Sequence, residues 1–352
     1  MTDQRLKVGV VGYGTIGKRV AQALNQHPEC DLKGVAIRSL SNSSILDFQI
    51  PIFYADARVR EEFNTLDVAT KGSFNDLIEE VDLIVDCGTS KKSSVRLSRY
   101  QDASVKSIFQ GGEKHEKIGF TFSSFANYDD AKEKSALKIG SCNTTGLVRT
   151  LLPLHCRYGI DSVHGVMVRC ATDPNKAEKG VSNAAHFVPG LSHHGEDIER
   201  LIPGVKFYSQ AVAVPMIFGH VAFLSIRMKH RPDRDETIEI LRESPRVQLS
   251  RDGQRHTTAE LYHAALEKNR SRDDTYEVVI VEESIDCVER ELKLMIWIHM
   301  EAIVIPDTLD CVSALLQPER AMVDVCSSTD EFLNILSTST GYQRIFGERV
   351  GK

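Results

Sequence analysis

Three glycines near the amino terminus constrain the fold of this chain more than any other feature. Gly12, Gly14 and Gly17 directly follow the apolar run 6–11, and an amphipathic helical pattern continues behind them at 18–27. In such a strand–loop–helix unit the first glycine permits a tight turn, the second admits a pyrophosphate, and the third lets helix and strand pack closely. The pattern predicts a dinucleotide-binding β-α-β unit, and a turn that uses glycine for packing alone is the alternative.

The end of the second predicted strand bears on the choice of dinucleotide. Residues 32–37 have the pattern of that strand, and Arg38 and Ser39 follow it without a carboxylate. An acidic side chain at this point usually binds the ribose 2′-hydroxyl of NAD, whereas a cation accommodates the 2′-phosphate of NADP. The sequence therefore favours NADP over NAD. The alternative for Arg38 is a solvated surface residue.

The order of the strand and helix patterns predicts two domains. With 352 residues, the chain exceeds the size that a single hydrophobic core usually reaches. Up to residue 139 strands alternate with helical stretches, which is typical of a Rossmann-type, doubly wound parallel sheet in an α/β domain. Longer β runs after residue 142 indicate an α+β domain with a mostly antiparallel sheet. We expect one domain at 1–141 and 306–352, with tail helices at 307–316 and 330–336, and a second domain at 142–305.

Charge and cysteine usage narrow the partners of the chain. The formal net charge is −6, which gives no reason to expect nucleic acid or an anionic membrane as a partner. No apolar run approaches the roughly 20 residues that span a bilayer. The eight cysteines are scattered and form no CxxC pair, which argues against a zinc site and a disulfide scaffold. We expect a cytoplasmic protein without a metal.

Cys142 is the strongest candidate for a reactive side chain. The segment 137–146 runs from a short apolar strand through small polar residues into a helical pattern, so Cys142 is predicted at a strand-to-helix junction. Free N–H groups and the helix dipole at such a junction would lower the pKa of the thiol and favour the nucleophilic thiolate. The alternative is a buried, inert thiol. Ser141 and Thr144 also fit the pattern of helix-capping residues.

Four segments of the chain carry a resemblance to a known family. They read Gly-Tyr-Gly-Thr-Ile-Gly-Lys-Arg-Val-Ala at 12–21, Gln-Gly-Gly-Glu-Lys at 110–114, Ser-Cys-Asn-Thr-Thr-Gly-Leu at 141–147 and Ser-His-His-Gly-Glu-Asp at 192–197. Together they resemble the archaeal-type (type II) glyceraldehyde-3-phosphate dehydrogenases. The block that contains Cys142 is the most specific of the four.

The resemblance implies a reaction and a set of site residues in a catalytic second domain. Cys142 would add to a small phosphorylated aldehyde, with His220 as general base and Asn143 stabilising the oxyanion, while a hydride leaves for NADP or NAD. Inorganic phosphate would then release the thioester as an acyl phosphate. Members of this family are commonly homotetramers. With the residues named above, the cofactor-binding set is Gly12, Gly14, Thr15, Ile16, Gly17, Arg38, Ser39, Gly111 and Gly112, and the substrate-binding set is Ser141, Thr144, Arg169, His193 and His194.

Departures from the family pattern lie at the expected active site. Cys170 follows Arg169 where the family usually has a second arginine, and a cysteine cannot bind phosphate as a guanidinium does. Met216 and Ile217 replace two threonines, and Met300 replaces a glutamine. Phosphorylating oxidation of glyceraldehyde 3-phosphate is the first hypothesis. A dehydrogenase for another aldehyde or acyl phosphate, and a catalytically silent dinucleotide-binding paralogue, stay open as alternatives.

Overall fold

The computed structural model describes ten stretches of the chain, which residue contacts divide into two compact units. Among these residues, the first unit comprises Met1–Phe122, Tyr128–Ile139 and Asp307–Arg320, and the second comprises Ser123–Asn127, Gly140–Pro306 and Ala321–Lys352. The carboxyl-terminal segment that was expected in the first domain is therefore shared between the two units. The described stretches are 5–38, 50–65, 67–89, 93–110, 112–170, 184–190, 194–216, 219–250, 257–336 and residue 341.

The first unit contains an eight-stranded sheet in which every pair of neighbouring strands is parallel. Its spatial order is β4-β3-β2-β1-β5-β6-β8-β7. The expected Rossmann-type sheet is confirmed. The strands are β1 (Leu6–Val11), β2 (Cys30–Ile37), β3 (Ile52–Tyr54), β4 (Gly72–Ser73), β5 (Leu83–Asp86), β6 (Lys106–Phe109), β7 (Thr121–Phe122) and β8 (Ala136–Ile139).

Strand β1 is central to this sheet, and its sequence explains the position. Val8 and Val10 on one face are completely buried and Val11 on the other face is 8% exposed, as expected of a parallel strand that is covered on both faces. The strand pairs with β2 on one side and with β5 on the other. The chain therefore leaves β1 at the point where the strand order reverses, which is where doubly wound sheets bind their ligands.

Helix α1 (Thr15–Gln26) begins directly after the glycine loop and buries Val20 and Leu24. Its amphipathic spacing is the pattern that predicted it. Helix α6 (Ser124–Ala131) contains a break at Asn127, where φ is −152°, and the division between the two units follows this residue. The other helices of this part of the chain are α2 (Ala57–Thr65), α3 (Phe74–Glu79), α4 (Ser93–Asp102) and α5 (His115–Ile118).

The second unit contains a mixed, mostly antiparallel sheet of seven strands, as expected. Its order is β10-β11-β9-β12-β15-β14-β13, and only the β9–β11 and β13–β14 pairs among the described strands are parallel. The strands are β9 (Ile160–Cys170), β10 (His186–Val188), β11 (Lys206–Val214), β12 (His220–Met228), β13 (Val247–Leu249), β14 (Val278–Val288) and β15 (Glu291–Ile298).

The strands of this sheet alternate between a buried and an exposed face. On β9, Val163 and Met167 are completely buried, whereas His164 and Val166 between them are exposed. On β12 the same alternation leaves Phe223 exposed. Such a period of two is typical of a sheet that is covered on one face.

Helix α7 (Cys142–Tyr158) is the most deeply buried helix of the second unit, and its first residue is Cys142. The predicted tail helix at 330–336 is wrong in its limits, because the helix begins at Met322 and ends at Phe332. Asn334 adopts a positive φ of 54°, which ends the helical path. The remaining helices are α8 (His194–Leu201), α9 (Arg234–Glu243), α10 (Thr258–Leu266), α11 (Ile305–Leu316), which lies mostly in the first unit, and α12 (Met322–Phe332).

Candidate active site

The glycine loop of the first unit has the close packing that its sequence predicted. Gly12 has a φ of +88°, and a Cβ atom there would lie 2.9 Å from the carbonyl oxygen of Cys87. A Cβ on Gly17 would lie 2.1 Å from the carbonyl oxygen of Gly12. These two positions therefore require glycine for backbone conformation and for close approach.

The other residues of the loop fit a phosphate group. A Cβ on Gly14 would meet no atom of the described residues within 4 Å, so space is open at this position. Thr15 Oγ1 is buried and has no hydrogen-bond partner among the described residues. No side chain caps the amino terminus of α1, and Ile16 lies in its first turn. Free N–H groups and an unpaired hydroxyl can donate hydrogen bonds to the oxygens of a pyrophosphate.

The predicted cofactor residues outside the loop are only partly described. Arg38 is exposed directly after β2, and Gly112 is exposed after β6. Ser39 and Gly111 lie outside the described residues.

Asp86 shapes the loop that packs against the glycines, although no sequence motif had indicated it. This residue ends β5, is 1% exposed and accepts hydrogen bonds from Gly88 N at 2.8 Å and from the Tyr100 hydroxyl at 2.9 Å. Cys87 lies between Asp86 and Gly88, and its backbone packs directly against Gly12. A strand that ends in aspartate two residues before a glycine is the signal that could have identified it.

Cys142 lies at the predicted strand-to-helix junction in the second unit. Ser141 is the N-cap of α7, and its Oγ accepts a hydrogen bond from Thr144 N at 3.2 Å. The Thr144 hydroxyl is completely buried and lies 2.9 Å from Ser141 Oγ. The capping role of Ser141 is therefore confirmed, whereas Thr144 lies in the first turn and supplies the N–H group that is capped. The contact of both residues with substrate stays a prediction.

The expected low pKa of Cys142 is wrong for this structure. Burial of the thiol raises its pKa above the ordinary value. The charge of Arg169 and hydrogen bonds from the backbone N–H groups of Cys142 and Asn143 act in the opposite direction, but they are outweighed. Stabilising donors are thus present at the start of the helix, as predicted, and desolvation is the larger effect.

The side chains of Asn143 and His194 are in contact at the amino-terminal ends of helices α7 and α8. Asn143 follows Cys142 in α7 and is 2% exposed, and His194 begins α8 and is also 2% exposed. Asn143 Nδ2 lies 3.3 Å from His194 Nε2. Asn143 Oδ1 is buried without a hydrogen-bond partner in the described part of the chain. The neighbouring His193 lies outside the described residues.

His220 is the first residue of β12 and is 4% exposed. The backbone N–H of Cys170 donates a hydrogen bond to its Nδ1 atom at 3.1 Å. Burial and, to a smaller extent, the charge of Arg169 lower the pKa of His220 to about 4, and a backbone hydrogen bond with Gly219 and the charge of Glu301 oppose this shift. The ring is therefore neutral at neutral pH, as a general base must be, but its Nδ1 lone pair is already engaged.

Two of the departures from the family pattern touch each other. The Cys170 thiol at the end of β9 lies 3.0 Å from Met300 Sδ, just beyond the end of β15. The two residues are 130 positions apart in the sequence and meet only in the folded chain. Met216 donates its backbone N–H to Val214 O at 2.7 Å, and Ile217 lies outside the described residues.

Neither a membrane span nor a metal site is found in the described stretches. No helix there is both long and apolar enough to cross a membrane. No group of three or more histidine, cysteine, aspartate or glutamate side chains there could hold a metal ion.

Known proteins of similar sequence are glyceraldehyde-3-phosphate dehydrogenases. Residues 141–298 match the family described as glyceraldehyde 3-phosphate dehydrogenase, C-terminal domain. The chain is 34% identical over 334 residues to the glyceraldehyde-3-phosphate dehydrogenase of Methanothermus fervidus, with 94% of this chain and 99% of that protein covered. It is 32% identical over 339 residues to the glyceraldehyde-3-phosphate dehydrogenase of Aeropyrum pernix, with 95% and 98% covered.

Solved structures share the two-domain fold. Aspartate semialdehyde dehydrogenase II of Vibrio cholerae, complexed with ASA, matches with a TM-score of 0.66 at 12% identity, over 89% of this chain and 99% of that chain. A probable aspartate-semialdehyde dehydrogenase of Pseudomonas aeruginosa matches with a TM-score of 0.67 at 11% identity, over 87% and 97%. The structural likeness shows the fold alone, whereas the sequence identity confirms the resemblance of the four segments. The chain belongs to the glyceraldehyde-3-phosphate dehydrogenase family.

Proposed function

We propose that this chain catalyses the phosphorylating oxidation of glyceraldehyde 3-phosphate, or the reverse reduction of the acyl phosphate, through a thioester on Cys142. The observation that carries the proposal is the position of Cys142 at the first residue of α7, in a chain related to glyceraldehyde-3-phosphate dehydrogenases over 94% of its length. The charge of Arg169 acts on both Cys142 and His220, so one guanidinium lies within electrostatic reach of both side chains.

The Cys142 sulfur divides the oxidation into two easier steps. Its thiolate forms a bond to the aldehyde carbon, and the carbonyl π electrons move to the oxygen. Loss of a hydride from that carbon leaves a thioester on Cys142, and a bound nicotinamide supplies the hydride acceptor. Inorganic phosphate then attacks the thioester carbon and releases the acyl phosphate and the thiolate. Because burial raises the pKa of the thiol, Arg169 and the N–H groups of Cys142 and Asn143 are the groups that favour its ionisation.

Substrate recognition is proposed for polar residues around this sulfur. Asn143 is the proposed donor, through its Nδ2 atom beside His194, to the oxygen on which negative charge develops. Arg169 is the proposed cation for the substrate phosphate, since a guanidinium can bind two phosphate oxygens at once. Ser141, Thr144, His193 and His194 complete the proposed substrate-binding set.

The first unit is the proposed dinucleotide-binding domain, and the second is the proposed catalytic domain. The open space at Gly14 and the unpaired Thr15 hydroxyl support a cofactor phosphate at the loop. We propose NADP as the preferred cofactor, because exposed Arg38 follows β2 where a 2′-phosphate would be bound. The protein is proposed to act in the cytoplasm.

A homo-oligomer is proposed on the basis of an exposed apolar surface. Phe187 is 85% exposed on the edge strand β10, and Val166, Tyr208 and Phe223 are 40–47% exposed on the uncovered face of the same sheet. Exposed apolar side chains in such a group often mark a protein interface. Size-exclusion chromatography with light scattering would measure a mass of several protomers, and a monomer at micromolar concentration would contradict this part of the proposal.

A second candidate function rests on the contact between Cys170 and Met300. The two sulfur side chains lie against each other at 3.0 Å, in place of the charged and amide side chains that the resemblance leads us to expect. An uncharged pair favours an aldehyde or acyl phosphate with less negative charge than glyceraldehyde 3-phosphate.

An assay of cofactor reduction separates the candidate functions. With glyceraldehyde 3-phosphate, NADPH should form only when inorganic phosphate is present, and NAD should support a slower rate. Cys142→Ser should abolish the activity, whereas Cys156→Ser, at the exposed far end of α7, should retain it. Activity with other aldehydes alone would favour the second candidate. Absence of activity with every aldehyde would leave a silent dinucleotide-binding protein.

A further inference from the structure

A buried ion pair lies directly behind the loop that follows β5. Asp86 ends β5 and is 1% exposed, and its Oδ2 accepts a hydrogen bond from Arg96 Nε at 2.5 Å. Tyr100, one turn beyond Arg96 on α4, donates to the same oxygen at 2.9 Å. Burial opposes the charge of Arg96, but the hydrogen bond and the charge of Asp86 outweigh this effect, so the pKa of Arg96 is raised.

Both members of the pair also bond to the backbone of the loop 87–89. The other carboxylate oxygen, Asp86 Oδ1, accepts a hydrogen bond from Gly88 N at 2.8 Å, and Arg96 Nη2 donates to Thr89 O at 3.1 Å. The backbone of Gly88 packs on the pair, because a Cβ there would lie 2.9 Å from Asp86 Oδ1 and 3.0 Å from Arg96 Cζ. One carboxylate and one guanidinium thus fix two successive residues of this loop.

The loop 87–89 packs against the glycine loop at the carboxyl end of the sheet. A Cβ on Gly12 would lie 2.9 Å from the carbonyl oxygen of Cys87, and a Cβ on Gly17 would lie 3.3 Å from Cys87 Cβ. Strands β1 and β5 are neighbours, and the strand order reverses between them. A doubly wound sheet binds its dinucleotide in the crevice at this point. The loop 87–89 is therefore the wall of that crevice opposite the glycine loop.

The strand order also indicates which half of a dinucleotide this wall meets. The proposed pyrophosphate site lies after β1, and Arg38, the proposed ligand of the 2′-phosphate, follows β2. Strands β2 and β5 lie on opposite sides of β1, so the adenosine half extends towards β2 and the nicotinamide half towards β5. Neighbouring strands are about 4.8 Å apart, which places the loop after β5 within reach of the nicotinamide half.

Helix α4 also anchors the turn that follows β6. Glu113 comes directly after Gly112 of the expected cofactor set and is 3% exposed. Its Oε2 accepts a hydrogen bond at 2.7 Å from the hydroxyl of Ser93, the first residue of α4. The charge of Glu113 also acts on Arg96. One helix therefore holds the turns after β5 and β6, which are neighbours in the sheet.

We propose that Asp86 and Arg96 are positioning residues for the nicotinamide half of the dinucleotide, and that their ion pair fixes the loop 87–89 as the surface on which this half binds. The inference rests on the proposed function, which places a dinucleotide in this unit. Removal of one partner leaves the other charge buried without its counterion, and the loop loses its fixed points. The adenosine half, on the other side of β1, keeps its contacts.

Binding of NADP and of adenosine 2′,5′-bisphosphate tests the proposal without any catalysis. The bisphosphate carries the adenosine half of NADP and lacks the nicotinamide half. In titration calorimetry, Asp86→Asn and Arg96→Met should each bind NADP about tenfold more weakly than the wild type, since each loses a charged hydrogen bond. Both variants should bind the bisphosphate as the wild type does. Arg96→Lys keeps the charge but lacks the fork that bonds to both Asp86 and Thr89, so its affinity for NADP should lie between the two.

Ile78→Ala is the matched control for stability. Ile78 is 6% exposed near the end of α3 and lines a groove with Val81 and Asp82, which lead into β5 from its opposite end. Ile78→Ala should lower the thermal unfolding temperature as Arg96→Met does, and it should bind NADP with wild-type affinity. If the wild type prefers NAD, then NAD and AMP form the corresponding pair of ligands.

Four results would separate the possible outcomes. Wild-type affinity for NADP in Asp86→Asn and Arg96→Met would overturn the proposal. An equal loss of affinity for NADP and the bisphosphate, or a loss in Ile78→Ala as large as in Arg96→Met, would overturn it as well, because the pair would then support the whole unit. A wild type that shows the expected binding pattern but oxidises no aldehyde would refute the proposed function and leave this inference standing. A wild type that binds neither dinucleotide would refute both.

Discussion

Cys170 Sγ lies 3.0 Å from Met300 Sδ, although the two residues are 130 positions apart in the chain. The contact joins two separate substitutions into one pair of sulfur side chains, and the backbone N–H of Cys170 in this pair also bonds to His220 Nδ1. Because the two side chains share a boundary, the effects of replacing them should depend on each other.

The first prediction concerns substrate charge. Cys170→Arg together with Met300→Gln should raise the preference for glyceraldehyde 3-phosphate over unphosphorylated glyceraldehyde by roughly tenfold or more, since an arginine–phosphate contact contributes on the order of 2 kcal/mol. Cys170→Arg alone should raise this preference by a smaller factor, because the larger side chain would collide with Met300. The ratio of the two kcat/KM values is the measurement. Met300→Leu, which keeps the volume and the apolar character, should leave that ratio unchanged, and an unchanged ratio in the double variant would refute the charge argument.

The second prediction concerns the pair formed by Asn143 and His194. If Asn143 stabilises the developing oxyanion and His194 orients its carboxamide, Asn143→Ala should lower kcat on the order of 100-fold with little change in KM. His194→Ala should have a smaller effect in the same direction, and the double variant should be no slower than Asn143→Ala. Steady-state kinetics of the four proteins gives the result. A raised KM for His194→Ala that persists in the Asn143→Ala background would instead indicate direct substrate binding by His194.

The third prediction separates packing from cofactor binding in the glycine loop. Gly17→Ala places a Cβ 2.1 Å from the Gly12 carbonyl oxygen, so it should destabilise the protein by about 1–3 kcal/mol. Gly14→Ala meets no described atom within 4 Å, so the free protein should unfold as the wild type does. Because its methyl group occupies the space proposed for the pyrophosphate, Gly14→Ala should nevertheless weaken NADP binding. Thermal unfolding with and without NADP distinguishes the two effects, and equal cofactor-induced stabilisation of Gly14→Ala and the wild type would count against the site.

The fourth prediction concerns stability below neutral pH. The pKa of His220 falls from an ordinary value of 6.5 to about 4 on folding, so between these values the unfolded chain binds more protons than the folded one. The free energy of unfolding should therefore decrease as the pH falls through this window, by up to about 3 kcal/mol from this residue. Denaturant unfolding of the wild type and His220→Gln at pH 7 and pH 4.5 isolates the contribution. The same loss in both proteins would show that His220 is not the group responsible.

Much of the fold follows from local patterns. The apolar run of β1, the glycines behind it and the spacing of α1 are features of short segments, so the sequence predicts the parallel sheet of the first unit. The break between the units at Asn127 depends on tertiary packing and carries no local signal. The predicted start of α12 was wrong, because the buried residues Met322, Val325 and Cys326 have helical spacing and the helix begins with them.

In the candidate site, too, some features follow from local sequence and others only from the folded chain. Cys142 at a helix start was predictable, because the strand, the capping residues and the helical pattern are contiguous. Its raised pKa was not, since burial depends on residues far away in the chain. The hydrogen bond from Cys170 to His220 joins the ends of two strands 50 positions apart, so this contact could be known only from the folded chain.

The thioester on Cys142 is the central claim, and trapping it is the most direct test. The wild type would be mixed with glyceraldehyde 3-phosphate and NADP without inorganic phosphate, quenched in acid and digested for mass spectrometry. One equivalent of NADPH per active site should form in a burst, and the peptide that contains Cys142 should carry the acyl group, which added phosphate removes. Cys142→Ser should give neither signal. Steady NADPH formation without phosphate, or an acyl group on another residue, would contradict the account.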